Sequence, residues 1–497
     1  MPFELLTPSE MGEADRMTVA GGLVDGIGLM RRAGDAVAGA LLERFPGAPG
    51  VAVLAGPGNN GGDGYVVAEH LRRAGLAVTL WRKGAPRKGS DAAIAATECR
   101  VEPQPLASFA PEPGWVVVDA LFGAGLTKPV AGVYAEALDR ADQARAPLVA
   151  VDLPSGVSGL TGGVLGTTAP ADLTVTFFRK KPGHLLEPGR GLCGEVVVAD
   201  IGIRDEVLSA ILPLTSENHP ANWLGDFPML ATDTHKYARG HVTVFSGGPS
   251  STGAARLAAL AAARAGAGAV TLLSPGNALA VNASHLTSIM LRRADGFAEA
   301  AEFIAAREPD AFVFGPAIGT GDEVGAFALD LIGAAAGHAV VFDADALTVL
   351  AKQRDAFVQR THEEGAPALV LTPHEGEFRR LFTELAAAEQ LSKLDRARLA
   401  AALANAVVIY KGPDTVIAAP DGRAAINANG TPLLATAGSG DVLGGIAAGL
   451  LAQHMPAFEA ACAAVWIHAE AARAFGPGLI AEDLPDILPA VLREFVG

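Results

Sequence analysis

Short apolar runs recur along the chain, each followed by a polar or glycine-containing turn and, in most cases, by a stretch with helical spacing. In the first half they lie at Val51–Ala55, Ala77–Leu80, Trp115–Val118, Leu148–Val151, Leu173–Phe177 and Val196–Ala199. Runs without polar alternation suit strands buried on both faces, and strands separated by helices pair in parallel. The pattern predicts an α/β fold built on a doubly wound, mostly parallel sheet. Thr7-Pro8-Ser9-Glu10 has the form of a capping box with proline in the first turn, which predicts a helix start, and a second helix is expected from Asp25 to Phe45. From Ile203 to Thr232 the pattern breaks into polar pieces containing Pro213, Pro220 and Pro228, and reads as a linker. A second alternation runs through Val242–Ser246, Ala269–Leu273, Ala311–Phe314, Ala339–Phe342, Ala368–Leu371 and Val407–Tyr410. It ends in helices near 441–453, 457–474 and 481–495, so two domains are expected, over residues 1–215 and 225–497.

Two glycine-rich loops ending in aspartate stand out against this pattern. Gly56-Pro57-Gly58-Asn59-Asn60-Gly61-Gly62-Asp63-Gly64 joins the first strand to a helical stretch from Tyr65 to Ala74, and Ala437-Gly438-Ser439-Gly440-Asp441 opens an apolar helix. Strand, glycine loop and helix N-terminus aim backbone N–H groups at one spot, where the helix dipole favours an anion. Two such loops predict two sites for phosphate-bearing ligands, or one ligand handled twice. Asp119 and Asp152 end their strands, followed by Ala120-Leu121-Phe122-Gly123-Ala124-Gly125-Leu126 and by Leu153-Pro154-Ser155-Gly156. In a parallel sheet such ends share one edge, where open α/β sheets bind ligands. Two carboxylates, an asparagine and a serine with few bases nearby predict a cation site or a proton-transfer site. A lone strand-end aspartate is more often a helix cap; the loops taken together are not.

Composition narrows the class. The 497 residues exceed what one hydrophobic core serves, and 59 glycines with only 19% charged residues suit tight strand–helix packing. A formal charge of −16 argues against a nucleic-acid partner. Cys99, Cys193 and Cys462 are far apart without metal-ligand spacing, which predicts a reducing, cytoplasmic setting. Met1 to Arg16 has no basic segment followed by an apolar core, and no apolar run reaches bilayer length, so neither export nor a membrane is expected.

The runs GPGNNGGDG, VVDALFGAGL and AVDLPSG resemble the NAD(P)H-hydrate epimerase family over roughly residues 1–210, on a Rossmann-like sheet. That family interconverts the R and S forms of nicotinamide cofactor that has added water across the ring C5–C6 bond. The resemblance implies that Asn59, Asn60, Gly61, Gly62 and Asp63 line the hydrate site, and that Gly123, Ala124, Gly125, Leu126, Thr127, Lys128 and Pro129 bind substrate. It further implies that Asn60, Asp119 and Ser155 hold a potassium ion, and that Asp152 contacts the nicotinamide and does the acid–base work.

The second half carries Lys236-Tyr237-Ala238-Arg239-Gly240-His241, Ser246-Gly247-Gly248, Gly315-Pro316-Ala317-Ile318-Gly319, Thr372-Pro373-His374-Glu375-Gly376-Glu377 and Lys411-Gly412-Pro413-Asp414-Thr415. With Asn429-Gly430-Thr431-Pro432 and the closing Gly438-Ser439-Gly440-Asp441, this ordered set resembles the ADP/ATP-dependent NAD(P)H-hydrate dehydratases, a ribokinase-like α/β/α sandwich. The resemblance implies that Gly253, Ala254, Gly319 and His374 face the hydrate. It also implies that Lys411, Gly412, Pro413, Asp414, Thr415 and Gly440 hold the nucleotide, with Asp441 between nucleotide and substrate hydroxyl. In that arrangement the loop amides hold the transferring phosphoryl group and Asp441 accepts the hydroxyl proton. Ala437 and Ser439 stand where the family often has glycine and threonine, both small enough to keep the loop. Asp343 and Asp345 fit ordinary turn residues better than catalytic ones.

The implied ligands are NADH hydrate, NADPH hydrate and ADP as co-substrate, with potassium in the first domain and magnesium in the second, and the implied assembly is a homo-oligomer. ADP would be converted to AMP and phosphate as the S hydrate returns to NAD(P)H. Two other classes share parts of the pattern. A hydroxymethylpyrimidine- or thiazole-type kinase with an accessory domain would leave a stable phosphorylated product instead of free phosphate. A non-enzymatic, RNA-associated scaffold would not need Asn60, Asp119, Asp152 and Ser155 together, and the acidity of the chain disfavours it.

Overall fold

The side-chain alternation hidden inside the apolar runs decides the architecture. The computed structural model describes residues 3–22, 24–229, 236 and 238–496, and the chain divides into two compact units, 1–216 and 217–497. The first unit holds β1 (Gly50–Ala55), β2 (Ala77–Arg82), β3 (Pro103–Pro105), β4 (Val116–Ala120), β5 (Leu148–Val151), β6 (Leu173–Phe177) and β7 (Glu195–Ala199). They form one parallel sheet in the order β3-β2-β1-β4-β5-β6-β7. Val51, Val53 and Ala55 join Val116, Val118, Val149 and Val151 in the core on one face. Ala52 and Leu54 join Val117, Leu148 and Ala150 in the core on the other. The period of two is invisible in hydropathy because both faces are covered. β3 was not expected: its two prolines lack an N–H and suit only an edge.

Helix α1 (Pro8–Ala20) starts from the expected capping box, with the Glu10 amide donating to Thr7 Oγ1 at 3.2 Å and the Thr7 amide to Glu10 Oε2 at 2.7 Å. Helix α2 (Gly26–Arg44) is capped by Asp25. Helix α3 spans Asn59–Arg73, so the second part of the glycine loop is already helical, where a start at Tyr65 was expected. Glycine is a poor helix former, but close packing requires it here. A Cβ at Gly61 would lie 1.9 Å from the Gly56 carbonyl oxygen, and one at Gly62 would lie 2.5 Å from Met30 Sδ. Helix α4 (Asp91–Glu98) follows β2.

The second unit is organised around a ten-stranded sheet whose edge strand, β8 (Thr215–Asn218), is where the chain passes from one unit to the next. The others are β9 (His241–Phe245), β10 (Ala269–Ser274), β11 (Met290–Arg293), β12 (Ala311–Phe314), β13 (Ala339–Phe342), β14 (Ala368–Leu371), β15 (Val407–Tyr410), β16 (Val416–Ala418) and β17 (Ala424–Asn427). Their order is β11-β10-β9-β12-β13-β14-β15-β16-β17-β8, parallel from β11 to β15 and antiparallel from β15 to β17. Val242, Val244, Val313 and Val341 face a core shared with the helices Gly253–Arg264 and Ser439–Ala452. On the opposite face Phe245 and Phe342 pack edge-on against Phe314, with centroids 5.2 and 6.1 Å away.

The expected linker is folded. Trp223 and Phe227 are buried in the core of the second unit, and the Trp223 ring lies 6.1 Å from Trp466 and 5.4 Å from Phe495. The second unit therefore begins at Glu217, ahead of the expected 225. Leu230–Thr232 at the end of that segment, together with Tyr237, Met1 and Pro2, lie outside the described residues. Among the described residues no helix is long and apolar enough to cross a membrane.

Candidate active sites

The residues that follow β1, β4, β5 and β6 meet at the carboxyl edge of the first sheet around a cavity of about 1280 Å³, room enough for a dinucleotide. Asn59, Asn60, Asp63, Gly123, Ala124, Gly125, Leu126, Thr127, Lys128 and Asp152 line it, while Gly61, Gly62 and Pro129 are not on its wall. The loop glycines divide by role. A Cβ at Gly56 would sit 1.8 Å from the Leu121 carbonyl oxygen and one at Gly64 2.7 Å from Ala120 Cβ, so these serve packing. At Gly58 and Gly125 a Cβ would meet nothing within 4 Å, and both border the cavity.

Asp152 sits directly after β5 with φ +66°, a left-handed conformation that costs a non-glycine residue free energy. Its neighbours over-determine it. Oδ1 accepts from Lys181 Nζ at 2.7 Å and Thr176 Oγ1 at 2.9 Å, Oδ2 accepts from the Ala124 amide at 2.9 Å, and the carbonyl oxygen is 2.8 Å from His184 Nε2. Lys181 is itself fully buried and also donates to Thr176 Oγ1 at 2.8 Å. Burial pushes the Asp152 carboxyl up, but the Lys181 ammonium outweighs it and holds the group at about 2. His184 is held at about 4 by burial and by the Lys181 charge, and is neutral at pH 7. The expectation of few bases fails here: Asp152 is one half of a buried ion pair and has no proton to give near neutrality.

Asp119 lies inside β4, fully buried, and accepts from the Ser155 amide at 2.7 Å, Ser155 Oγ at 2.6 Å and the Leu121 amide at 3.1 Å. Burial raises its carboxyl pKa. Ser155 Oγ also accepts from the Phe122 amide at 2.8 Å, so the two strand-end loops are tied to one carboxylate. Asn60 approaches from α3, with Oδ1 2.9 Å from where a Gly123 Cβ would be, and its Nδ2 is buried without a partner. Three further carboxyls border the cavity, Asp15 from α1, Asp63 from α3 and Asp91 from α4, and burial raises those of Asp15 and Asp63.

In the second unit the polar groups gather where β13, β14 and β15 end. Asp343 Oδ1 is 3.0 Å from Lys411 Nζ and accepts from Thr372 Oγ1 at 2.5 Å, and Glu377 Oε2 is 4.0 Å from the same ammonium. Asp343 is buried and ion-paired, not the turn residue expected; Asp345 opens the helix Asp345–Lys352 and accepts from the Gly319 amide, 26 residues away, at 2.9 Å. Burial lowers the Lys411 pKa, but the charges of Asp343 and Glu377 raise it on balance. The helix Ser439–Ala452 opens from Gly438 at φ +89°, a conformation glycine takes without strain. A Cβ at Gly440 would lie 3.3 Å from Lys411 Nζ and 3.6 Å from Asp343 Oδ2, so the loop and the lysine converge. Burial, and then the Asp343 charge, push the Asp441 carboxyl up to about 7 against the pull of Lys411.

The remaining expected residues surround this centre unevenly. Gly253 and Ala254 form the first turn of the helix Gly253–Arg264, and a Cβ at Gly253 or Gly319 would meet nothing within 4 Å. His374 caps the helix Glu375–Leu381, its Nδ1 accepting from the Gly376 amide at 2.9 Å and the Glu377 amide at 3.3 Å. The 411–415 loop is tied by Thr415 Oγ1 donating to the Gly412 carbonyl at 2.8 Å and by Asp414 Oδ1, 2.5 Å from Lys393 Nζ. Ser439 Oγ is 3.1 Å from Nε2 of His468, a histidine held at about 4 by burial. Thr176, Lys181, His184, Asp15 and His468 carried no motif signal; a lysine just past an apolar strand was the one available clue.

Family models match both halves: one described as NAD(P)H-hydrate dehydratase over residues 242–488, and one described as YjeF-related protein N-terminus over 26–183. The chain is 35% identical to the bifunctional NAD(P)H-hydrate repair enzyme Nnr of Moorella thermoacetica over 99% of its own length and 97% of that protein. To the enzyme of the same name from Escherichia coli it is 33% identical, over 94% of this chain and 90% of the other. The solved ADP/ATP-dependent NAD(P)H-hydrate dehydratase of Bacillus subtilis, co-crystallised with ATP and magnesium, superposes with a TM-score of 0.50 at 28% identity, covering 56% of this chain and 98% of that one.

Proposed function

The chain belongs to the family of bifunctional NAD(P)H-hydrate repair enzymes, and on that basis we propose how its two units divide the work. The first unit is the epimerase for R and S hydrates, and the ribokinase-like second unit dehydrates the S form. The observation that carries the reading is a carboxylate-lined cavity at one sheet edge, paired in the same chain with the Gly438–Asp441 loop beside Lys411.

In the first unit Asn59, Asn60, Asp63 and the 123–128 loop embrace the hydrate, and the Asp152 anion faces the ring. Positive charge that develops on the ring nitrogen as the neighbouring C–O bond weakens is stabilised by that anion in a site shielded from water. Asn60, Asp119 and Ser155 would hold potassium. The unpaired end of the Asn60 amide is a buried polar group short of a partner, and with the amide turned its oxygen suits a cation beside Asp119. The ion would supply countercharge to Asp119 and order the loops it ties.

In the second unit Asp441, poised near neutrality, accepts the proton of the hydrate's hydroxyl as that oxygen takes the terminal phosphoryl group of ADP or ATP. Lys411 and the first amides of the Ser439–Ala452 helix stabilise the transferring charge, and Gly412–Thr415 with Gly440 hold the nucleotide. The ring nitrogen lone pair then expels phosphate, and loss of the C5 proton restores NAD(P)H; with ADP the remaining product is AMP. Among the described residues no group of three His, Cys, Asp or Glu side chains is placed to hold a metal ion, which suits magnesium held mainly by the nucleotide's phosphates. Its chemistry there would be neutralisation of phosphate charge.

The test is to give the protein racemic hydrate with ADP, ATP or neither, and to follow reduced-nicotinamide absorbance and free phosphate. Full conversion with free phosphate, only when nucleotide is present, is expected. Conversion that stops once the S form is used up would remove the epimerase role, and a stable phosphorylated product would indicate a kinase. Asp119→Ala should weaken the potassium dependence of epimerisation; equal wild-type rates in potassium and in a bulky organic cation would remove the ion site.

A further inference from the structure

We propose that Asp15 of α1 is the proton donor to the hydrate's hydroxyl in the first unit's cavity, an assignment that rests on the epimerase reading above. Inversion at the hydroxyl-bearing carbon requires a bond to that carbon to break, and hydroxide is a poor leaving group without a proton. Asp152 cannot supply one, because Lys181 Nζ at 2.7 Å keeps it ionised. Lys181 directs two of its three N–H groups to Asp152 and Thr176, and giving up its proton would strand the Asp152 anion without its countercharge. Three carboxyls on the same wall remain, Asp15, Asp63 and Asp91, and they differ in setting. Asp63 is buried at the start of α3, and Asp91 is the first residue of α4, where the helix N-terminus favours its anion; Asp15, in the middle of α1, is half-buried and open to the cavity.

The charges around Asp15 support its role. Burial raises its carboxyl to about 6; Lys181 opposes that rise and Asp152 adds to it. The other charged groups on the cavity wall are Arg16, Asp63, Asp91 and Lys128. α1 also packs on the Asp205–Val207 turn, where Asp205 pairs with Arg179 at 2.7 Å and Glu206 is exposed. A carboxyl that titrates near 6 keeps a protonated fraction at neutral pH, and with a fixed anion on the same wall it gives the division of titration states that acid catalysis uses.

The step balances within the site. Asp15 gives its proton to the hydroxyl oxygen, the C–O bond breaks, and water departs as the ring nitrogen lone pair forms a C=N⁺ bond opposite the Asp152 anion. Water then adds to the other face of that carbon and returns a proton to Asp15. One water is lost and one gained, nothing is oxidised or reduced, and R has become S.

The experiment uses the full-length protein, pure R hydrate, no nucleotide and ¹⁸O-labelled water. Asp15→Asn should lower kcat for inversion about 10²–10⁴-fold, with KM changed less than about threefold, and Asp15→Glu should recover most of the rate. Wild-type kcat should fall as pH rises through about 6, and each inversion should place ¹⁸O in the hydroxyl. An Asn variant that inverts at the wild-type rate, or inversion without label uptake, overturns the proposal. If the Asn variant melts at a lower temperature, the wild-type pH profile and label uptake decide alone. Wild-type protein that does not invert R hydrate at all would instead remove the epimerase reading.

Discussion

Asp152, directly after β5, and Asp441, in the first turn of the helix Ser439–Ala452, each feel a nearby lysine, yet they titrate at opposite ends of the carboxylate range. Asp152 is held at about 2 and Asp441 is pushed up to about 7, although both are removed from water. Burial therefore does not distinguish them. The lysine does: Lys181 donates directly to Asp152 at 2.7 Å, while Lys411 gives its direct contact to Asp343 at 3.0 Å. Asp441 is left with a weaker attraction to Lys411 and with repulsion from Asp343. A buried aspartate thus becomes a fixed anion or a proton acceptor according to which carboxylate its lysine touches.

Breaking the contrast outright gives the largest effects. Asp441→Asn should reduce nucleotide-dependent dehydration about 10²–10⁴-fold while R hydrate is still inverted, and Asp152→Asn should do the reverse. Assaying each pure epimer on both variants checks this; a variant that loses both activities while folded would contradict separate sites. Lys181→Met should come next. It strands the Asp152 charge in a buried site, at a cost of about 3–5 kcal/mol to the first unit in denaturant titration, and a loss below 1 kcal/mol would mean the pair is solvent-screened.

Acid should weaken both units alike. His184 and His468 are each held at about 4, whereas the unfolded chain takes up a proton near 6.5. Between those values the unfolded state binds more protons, so stability falls as pH drops from 6.5 to 4, by roughly 3 kcal/mol per histidine. His184→Gln and His468→Gln should each flatten that slope in the unit that carries it. The smallest effect sharpens the comparison instead of breaking it. Asp343→Asn removes the charge that repels the Asp441 anion, so the acid limb of the dehydration pH profile should move to lower pH. An unmoved limb would mean that Asp343 does not set the Asp441 pKa.

The two halves were not equally legible. Parallel strands buried on both faces are written as bare apolar runs, so β1, β4, β5, β6 and their counterparts β9, β12, β13, β14 and β15 could be placed within a residue or two. Short edge strands such as β3 and β11 bury too little to leave such a run. Strand-end aspartates were visible as candidates, but their electrostatic partners were not. Lys411 meets Asp343 from 68 positions along the chain, and Lys181 reaches Asp152 from 29. Trp223 and Phe227 were hidden for a related reason: local composition reads as linker, while their burial depends on Trp466 and Phe495 far downstream. Pairings of that kind are decided by topology, which a linear pattern does not encode.

The crowding at Gly56 and Gly61 has a consequence for descent. A side chain at either position would drive into backbone, 1.8 Å from the Leu121 oxygen or 1.9 Å from the Gly56 oxygen. A lineage that abandoned the chemistry but kept the sheet would still be compelled to keep these glycines. Nothing would compel it to keep Asp15, Lys181 and Asp152 together. Among homologues the glycine loop is thus a badge of kinship, and the charged trio tells which kin still practise the trade.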